Sequence, residues 1–260
     1  MDYTNKHAIV TGGANGIGRC ISETLLNAGA AVTIIDTDEQ NGAILASRYD
    51  RLRFFTGDVA DKVTIETFVD NLIQPVDFLI NNACISRKGL LSNCSWEDFE
   101  YVQRIGLIAP YYLTNKIMQH GLLAHGASII NIASTRAHQS QPDTESYSAA
   151  KGGILALTHS MSVSLAGKAR VNAISPGWIE TAAYHRDGMT MAAEHSDEDR
   201  QQHPAMRVGT PEDIANMVMF LCDNDKAGFI TGENIVIDGG MSKLMIYHND
   251  NGWRMIKPLL

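Results

Sequence analysis

Cysteine is scarce in this chain, and no metal site can be assembled from what there is. Cys20, Cys84, Cys94 and Cys222 are its four cysteines, none in a close pair of the metal-ligand type, and none of the nine histidines has another four residues on. Free thiols and no metal are therefore expected. Basic charge is also short: 21 lysines and arginines against 29 acids leave a formal net charge of −8, with no basic stripe along which nucleic acid would lie. No N-terminal stretch has the basic-then-apolar form of a signal peptide, and no uninterrupted apolar run is long enough to span a bilayer. The sequence thus reads as a cytoplasmic protein with neither membrane nor nucleic acid as partner. What remains, 45% apolar and 19% charged residues over 260 positions, is the composition of a soluble globular protein able to bury a full core. No composition shift marks a boundary, which favours one domain, 1–260.

The most informative stretch runs from His7 to Asp36. Ala8-Ile9-Val10 is a short apolar run ending in Thr11-Gly12-Gly13, and Gly16 and Gly18 precede a helical pattern through Ile21, Leu25 and Leu26. This is the form of a phosphate-binding turn. Gly12 supplies a backbone closed to other residues, Gly16 lets the chain approach a pyrophosphate, and Gly18 allows close packing of helix on strand. The N–H groups of the first helical turn then face the anion. A second apolar run, Ala31 to Ile35, ends in Asp36, eighteen residues after Gly18, where a carboxylate can accept hydrogen bonds from an adenosine ribose. The alternative is a strand-end Asp that only opens a turn with Thr37 and Asp38. An ionised Asp36 repels a 2′-phosphate, and neither Asn15 nor Thr37 brings a positive charge to offset that, so the cofactor expected is NAD rather than NADP.

Beyond Asp36 the pattern keeps alternating. Helices are expected near Glu39 to Tyr49, Lys62 to Ile73 and Ser146 to Leu165, and from Pro211 with Thr210 as its cap; one long helix is expected from Trp96, capped by Ser95, to Gln119. Strands are expected at Leu52 to Phe55, Val76 to Ile80, Ser128 to Ile132, Arg170 to Ile174 and Asn234 to Ile237. Seven strands interleaved with helices imply an α/β fold, a doubly wound parallel sheet covered on both faces, whose ligands sit beyond the C-terminal strand ends. Those ends present Gly12 to Gly18, Asp36, Asp58, Asn81-Asn82, Ser134 and Pro176-Gly177.

Tyr147 and Lys151 stand four residues apart, on one face of a helix. A free phenol titrates near ~10. To act as a general base near neutrality a phenol must lose about three units, roughly 4 kcal/mol, part of which an adjacent cation supplies. Ser134 ends the preceding strand, where its hydroxyl can hold a substrate oxygen beside the phenol. An ordinary Tyr/Lys pair on a solvated helix face is the alternative.

Several motifs follow one another in a fixed order: Thr11-Gly12-(three residues)-Gly16-Ile17-Gly18, Asp58-Val59, Asn81-Asn82-Ala83, Ser134 thirteen residues before Tyr147, Tyr147-(three)-Lys151, Pro176-Gly177 with Thr181, and Asp238-Gly239-Gly240. In that order the sequence resembles the short-chain dehydrogenase/reductase family over nearly its whole length. The resemblance implies a single Rossmann domain with a seven-stranded sheet, oxidoreductase activity on a small-molecule substrate, and a homotetramer. It implies cofactor contacts from Gly12, Asn15, Gly16, Ile17 and Gly18, with Asp58 and Val59 near the adenine and Asn82 near a ribose. Pro176 and Gly177 join them, with Ile179 and Thr181 near the carboxamide and phosphate. By the same resemblance Tyr147 is the acid/base, Ser134 orients the reacting oxygen, and Lys151 aids Tyr147 and holds the nicotinamide ribose.

Two positions depart from the family pattern. Cys84 stands where Gly usually follows Asn-Asn-Ala, narrowing the space beside the cofactor, and Gly106 stands where a helical Asn usually supports a bend and a water relay to the catalytic Lys. Glycine keeps the main-chain carbonyl and bends readily, so a working Ser134, Tyr147 and Lys151 set is expected, with Gly106→Asn leaving activity equal or higher. Cys84 and Cys94 flank Ser86-Arg87-Lys88 and are expected to be buried or idle; a thiolate favoured by the basic neighbour is the alternative. The segment 182–206, a substrate cap in the family, is polar here, with His185, Arg186, Asp187, Glu194, His195 and Arg200. Arg136 and His138 are further candidates for substrate contact, against the reading of an exposed loop. The tail, 241–260, carries Met245, Ile246, Tyr247 and Trp253, suited to docking on the chain's own core or a second subunit.

The function expected is NAD-dependent interconversion of a secondary alcohol and a ketone on a small polar molecule such as a sugar, polyol or hydroxy acid. Two alternatives stay open: a 3-oxoacyl-thioester reductase of the same fold, and an NAD(H)-binding protein with little turnover, for which Gly106 is the argument.

Overall fold

A computed structural model describes residues 1–185 and 193–245; Arg186 and Asp187 of the expected cap, and Ile246, Tyr247 and Trp253 of the tail, lie outside them. In chain order the elements are β1 (His7–Thr11), α1 (Gly16–Asn27), β2 (Ala31–Asp36), α2 (Glu39–Arg48), β3 (Leu52–Thr56), α3 (Lys62–Asp70), β4 (Val76–Asn81), α4 (Trp96–Gln103), α5 (Ala109–Gln119), β5 (Leu123–Ile132), α6 (Glu145–Ser164), β6 (Ala169–Pro176), α7 (Asp197–Gln201), α8 (Pro211–Cys222), α9 (Asn224–Ala227) and β7 (Asn234–Ile237). Among the described residues the strands form one seven-stranded parallel sheet in the order β3-β2-β1-β4-β5-β6-β7.

The strands are largely apolar because both faces of the sheet are covered, and successive residues go to opposite layers. Ala8 and Val10 of β1 join Leu25 of α1 and Val218 of α8 in one core, while Ile9 between them joins Phe68 of α3 and Leu113 of α5 in the other. From β1 the chain winds outward to β2 and β3, and from β4 it winds the other way. A crevice therefore opens where β1 and β4 end, as it does at the switch point of a doubly wound sheet.

The helix expected from Trp96 to Gln119 is broken. α4 and α5 are joined by a π-helical turn, Arg104–Ile108, in which Gly106 is buried. The apolar period runs on through this turn and does not mark it; the bend falls at Gly106, where the family pattern has one. Its Gly106 faces α6 so closely that a Cβ there would come within 3.0 Å of the Ala150 Cβ. Single π-turns are frequent at functional sites. The expected caps are in place: Ser95 Oγ accepts from the Asp98 N–H at 3.0 Å, and Pro211 opens α8 after Thr210, whose N–H donates to Asp213 at 2.8 Å. No helix among the described residues is long and apolar enough to cross a membrane.

Candidate active site

The turn after β1 is built to receive an anion. Asn15 precedes α1 but makes no capping bond; its Nδ2 donates to Asp38 at 3.0 Å and its Oδ1 accepts from Asn41 at 2.6 Å. The first N–H groups of α1 thus lack a side-chain cap. Gly12 holds φ at +64°, and a Cβ on Gly18 would lie 2.0 Å from the Gly12 carbonyl oxygen and 2.5 Å from Asn82 Nδ2. Gly18 therefore acts by packing, locking helix onto turn. Gly12, Asn15, Gly16 and Ile17 line a cleft of about 350 Å³.

Asp36 closes one end of this cleft. Its carboxylate accepts from the Ala14 N–H at 2.9 Å and the Asp38 N–H at 3.0 Å, so it also ties the glycine turn to the end of β2. Asp58 and Val59 form part of the wall, and Asp58 accepts from the Tyr101 hydroxyl at 2.6 Å. That bond, together with burial, pushes Tyr101 up to about 12 and keeps it a donor. Asn82 donates to the carbonyls of Thr11 and Gly12, both at 3.0 Å, stitching the ends of β1 and β4 together. Thr181 lines the same cleft, and its Oγ1 lies 3.0 Å from His185 Nε2. Among the described residues no Lys or Arg lines it. Positions open only to glycine, an uncapped helix start and a strand-end carboxylate together fit a dinucleotide.

A further cavity of about 260 Å³ shares Ile17 and Asn82 with the cleft and brings Ser134, Tyr147, Lys151, Pro176, Gly177 and Ile179 together. Lys151 is buried; its Nζ donates to the Ile132 carbonyl at 2.6 Å and stands 5.5 Å from the centre of the Tyr147 ring. Ser134 is buried at the end of β5, where its Oγ accepts from the Arg136 N–H at 3.1 Å. Gly177 packs against Asp238, whose carboxylate accepts from the Gly240 and Ser242 N–H groups at 2.9 and 2.7 Å; this is the structural role of Asp238-Gly239-Gly240.

Sequence reasoning missed the residues that steady this group. Gln103 donates to the Ser146 carbonyl at 2.7 Å, fixing the first turn of α6 to α4, and Asp143 accepts from the Gly89, Leu91 and Ser92 N–H groups at 3.0, 2.9 and 3.1 Å. The Pro142-Asp143-Thr144 turn was the only visible signal; their partners lie tens of residues away.

Beyond Ser134 and Tyr147 the space widens into a cavity of about 860 Å³ whose wall includes Arg136, Gln141, Trp178 and Gln202. The basic candidates separate here. His138 is exposed and meets Asn234 at 3.2 Å, Arg200 pairs with Asp197 at 2.8 Å, and His195 lies 3.9 Å from Glu180 with its ring edge-on to Trp178. None of these three lines the cavity, whereas Arg136 does.

Cys84 and Gly106, the two departures, are neighbours. A Cβ on Gly106 would lie 3.2 Å from Cys84 Sγ as well as 3.0 Å from Ala150, so the thiol occupies part of the room that a larger side chain at Gly106 would need. For Gly106→Asn to leave activity equal or higher, as expected, Ala150 and Cys84 must give way by a few tenths of an ångström. Cys94 fits the idle reading: partial burial first, then Asp98, Asp143 and Glu145, push its thiol up, and Arg87 pairs with Asp98 at 3.3 Å.

A family model described as enoyl-(acyl carrier protein) reductase matches residues 12–242, a span that includes the glycine turn, Ser134, Tyr147 and Lys151. The chain belongs to the short-chain dehydrogenase/reductase family. Among curated members it is 43% identical over 250 residues to an uncharacterized oxidoreductase of Thermotoga maritima, covering 93% of this chain and 98% of the relative. It is 33% identical over 252 residues to a 3-oxoacyl-[acyl-carrier-protein] reductase of Chlamydia pneumoniae, covering 93% and 100%. Among solved members, an apo SCOR enzyme from Clostridium thermocellum superposes with a TM-score of 0.86 at 47% identity over 96% of this chain and 98% of the other. A gluconate 5-dehydrogenase from Burkholderia cenocepacia J2315, in complex with NADP and tartrate, does so at 0.80 and 26% identity over 94% and 98%.

Proposed function

We propose that this short-chain dehydrogenase/reductase is an NAD-dependent enzyme that interconverts a secondary alcohol and a ketone on a small polar substrate, a sugar, polyol or hydroxy acid. The observation that carries the reading is the join between two cavities: a cofactor cleft edged by Asp36, with no Lys or Arg among its described lining residues, opens, past Ser134 and Tyr147, into a larger chamber rich in hydroxyl and amide groups. Gly12, Asn15, Gly16 and Ile17 would hold the pyrophosphate, Asp36 the adenosine ribose, and Asp58 and Val59 the adenine end, with Asn82, Pro176, Gly177, Ile179 and Thr181 along the nicotinamide half. Bound there, NAD supplies the hydride acceptor. The Ser134 hydroxyl holds the substrate oxygen, the Tyr147 phenol exchanges its proton with that oxygen, and the Lys151 ammonium, fixed by the Ile132 carbonyl, stands 5.5 Å from the centre of the phenol ring. The π-turn at Gly106 supports turnover over mere NAD binding, because the bend next to α6 is made without an Asn side chain.

The Burkholderia neighbour is in complex with NADP, so cofactor choice here rests on Asp36 and on a described cleft wall without Lys or Arg. The name of the Chlamydia relative favours a second reading, reduction of a 3-oxoacyl thioester. Exposed apolar side chains on α4 and α5 and the turn between them, Trp96, Ile108 and Tyr111, support a homotetramer. The test is steady-state turnover of polyols and hydroxy acids with NAD and with NADP, alongside acetoacetyl-CoA with NADPH. Faster turnover of a polar alcohol with NAD is expected; faster acetoacetyl-CoA reduction with NADPH would install the second reading.

A further inference from the structure

We infer that Arg136 is a specificity-determining residue that binds a carboxylate of the substrate, so that the enzyme acts on hydroxy acids in preference to neutral sugars and polyols. The inference rests on the proposed dehydrogenase reading and narrows its substrate class. Arg136 sits in the short turn Thr135–Ala137 directly after Ser134, and its own N–H donates to Ser134 Oγ. Its backbone is thereby fixed relative to the hydroxyl that would hold the reacting oxygen. Its guanidinium carbon stands 5.9 Å from the centre of the Tyr147 ring. The cation therefore stands beside the phenol, at the rim where the exposed loop 138–142 begins.

Its electrostatic surroundings call for an anion. Arg136 is half-buried and is the only charged side chain among the described residues that line the large cavity. It makes no ion pair with any carboxylate of the described residues; its side-chain partner is the neutral Gln141 Oε1. A guanidinium has five N–H donors in a planar fork, so one bond to Gln141 leaves donors for a bidentate carboxylate. Half-burial removes part of its hydration and no carboxylate of the described residues compensates, a deficit that a bound anion removes. Lys151, the cation nearest the phenol on its other side, is held by the Ile132 carbonyl. Gln139, Ser140 and Gln202, also on the cavity wall, are neutral hydrogen-bonding groups of the kind that suit the hydroxyls of such an acid.

The test compares acids with the alditols of the same carbon chain, D-gluconate with D-glucitol and L-tartrate with L-threitol. Wild type, Arg136→Met and Arg136→Lys are assayed with saturating NAD, and the acids are also titrated calorimetrically into each protein in the presence of NADH. The expected result is an acid-to-alditol ratio of kcat/KM that falls about 10- to 100-fold in Arg136→Met, the scale of a charge-assisted hydrogen bond, carried mainly by KM and partly restored in Arg136→Lys. Acid binding should weaken as salt is raised, while alditol turnover should not. A purely structural Arg136 would lower acid and alditol turnover together and leave the ratio unchanged, which overturns the inference. If no compound is oxidised, the dehydrogenase reading loses its support on this panel, and calorimetry still decides the subsite. Acid binding to wild type that Arg136→Met weakens tenfold sustains it; no acid binding, or equal binding to both, refutes it.

Discussion

Enlarging Gly106 is the most informative perturbation of the packing behind Lys151. A Cβ there would stop 3.0 Å from the Ala150 Cβ and 3.2 Å from Cys84 Sγ, each a few tenths of an ångström inside ordinary contact. Overpacking of this kind costs about 1–3 kcal/mol. Removing a helical glycine returns about 1 kcal/mol, so Gly106→Ala is expected to be destabilised by about 0–2 kcal/mol, and Gly106→Asn by more. The displaced wall is Ala150, whose next residue is Lys151, and a shift there disturbs the 2.6 Å bond from Nζ to the Ile132 carbonyl. A lower kcat should therefore accompany the lower stability. Cys84→Gly removes one of the two obstructions. In a double-mutant cycle scored by urea denaturation and by kcat, the Gly106→Ala penalty should shrink by about 0.5–1 kcal/mol when Cys84 is glycine, the scale of coupling between contacting residues. Additivity within about 0.3 kcal/mol, or a Gly106→Asn protein as stable and active as its parent, would refute the reasoning.

Three further outcomes follow from the same geometry. Asp36→Ser with Thr37→Arg should narrow or reverse the NAD over NADP affinity ratio in fluorescence titrations; serine rather than alanine is chosen because Asp36 also receives the Ala14 and Asp38 N–H groups. Unchanged preference would mean that the cofactor does not reach Asp36. Gly18→Ala, with its Cβ 2.0 Å from the Gly12 oxygen, should cost about 3 kcal/mol or more of unfolding free energy and abolish dinucleotide binding; a stable variant with intact NAD affinity would contradict the interlocked turn. His7 is buried, its Nδ1 3.2 Å from the Pro75 carbonyl and its Nε2 2.8 Å from Thr33 Oγ1, and burial lowers its pKa. The carbonyl can only accept, so Nδ1 donates and Nε2 accepts in the neutral ring. With the folded pKa below the unfolded one, the unfolded chain takes up the proton first, so stability should fall as pH drops below about 6.5 and the loss should level off below the folded pKa. Melting curves of wild type and His7→Gln across that range check this, and parallel slopes would refute it.

Much of the fold could be read because its rules are local. β1 announces itself by being apolar at consecutive positions, which a strand buried on both faces requires, and Gly12, Gly16 and Gly18 mark the turn that follows it. The strand-end rule then selected the residues that the structure gathers: Asp36, Asp58, Asn82, Ser134 and Pro176-Gly177. What stayed hidden depends on contacts between distant segments. The π-turn at Gly106 leaves the apolar period of α4 and α5 intact; the family pattern points to a bend there, but not to its π form or its packing on Ala150. Arg136 and His138 are two residues apart on one turn, and the sequence could not tell that the first lines the chamber while the second meets Asn234 on β7. Asp143 reads as a turn residue, yet it holds the loop after β4 against the start of α6.

The central claim, that Tyr147 is the proton-exchanging group of an NAD-dependent alcohol dehydrogenase, is tested most directly by Tyr147→Phe. The phenyl ring keeps the packing between Arg136 and Lys151 and removes only the hydroxyl. The measurement is the rate of NADH formation from a polyol or hydroxy acid that wild type oxidises, at saturating NAD, with NAD affinity determined in parallel. The account predicts unchanged NAD affinity and a rate lower by about 10²-fold or more, the scale of a general-base contribution. A Tyr147→Phe protein that oxidises the same substrate as fast as wild type, or a wild type that binds NAD yet turns over no alcohol, would contradict it.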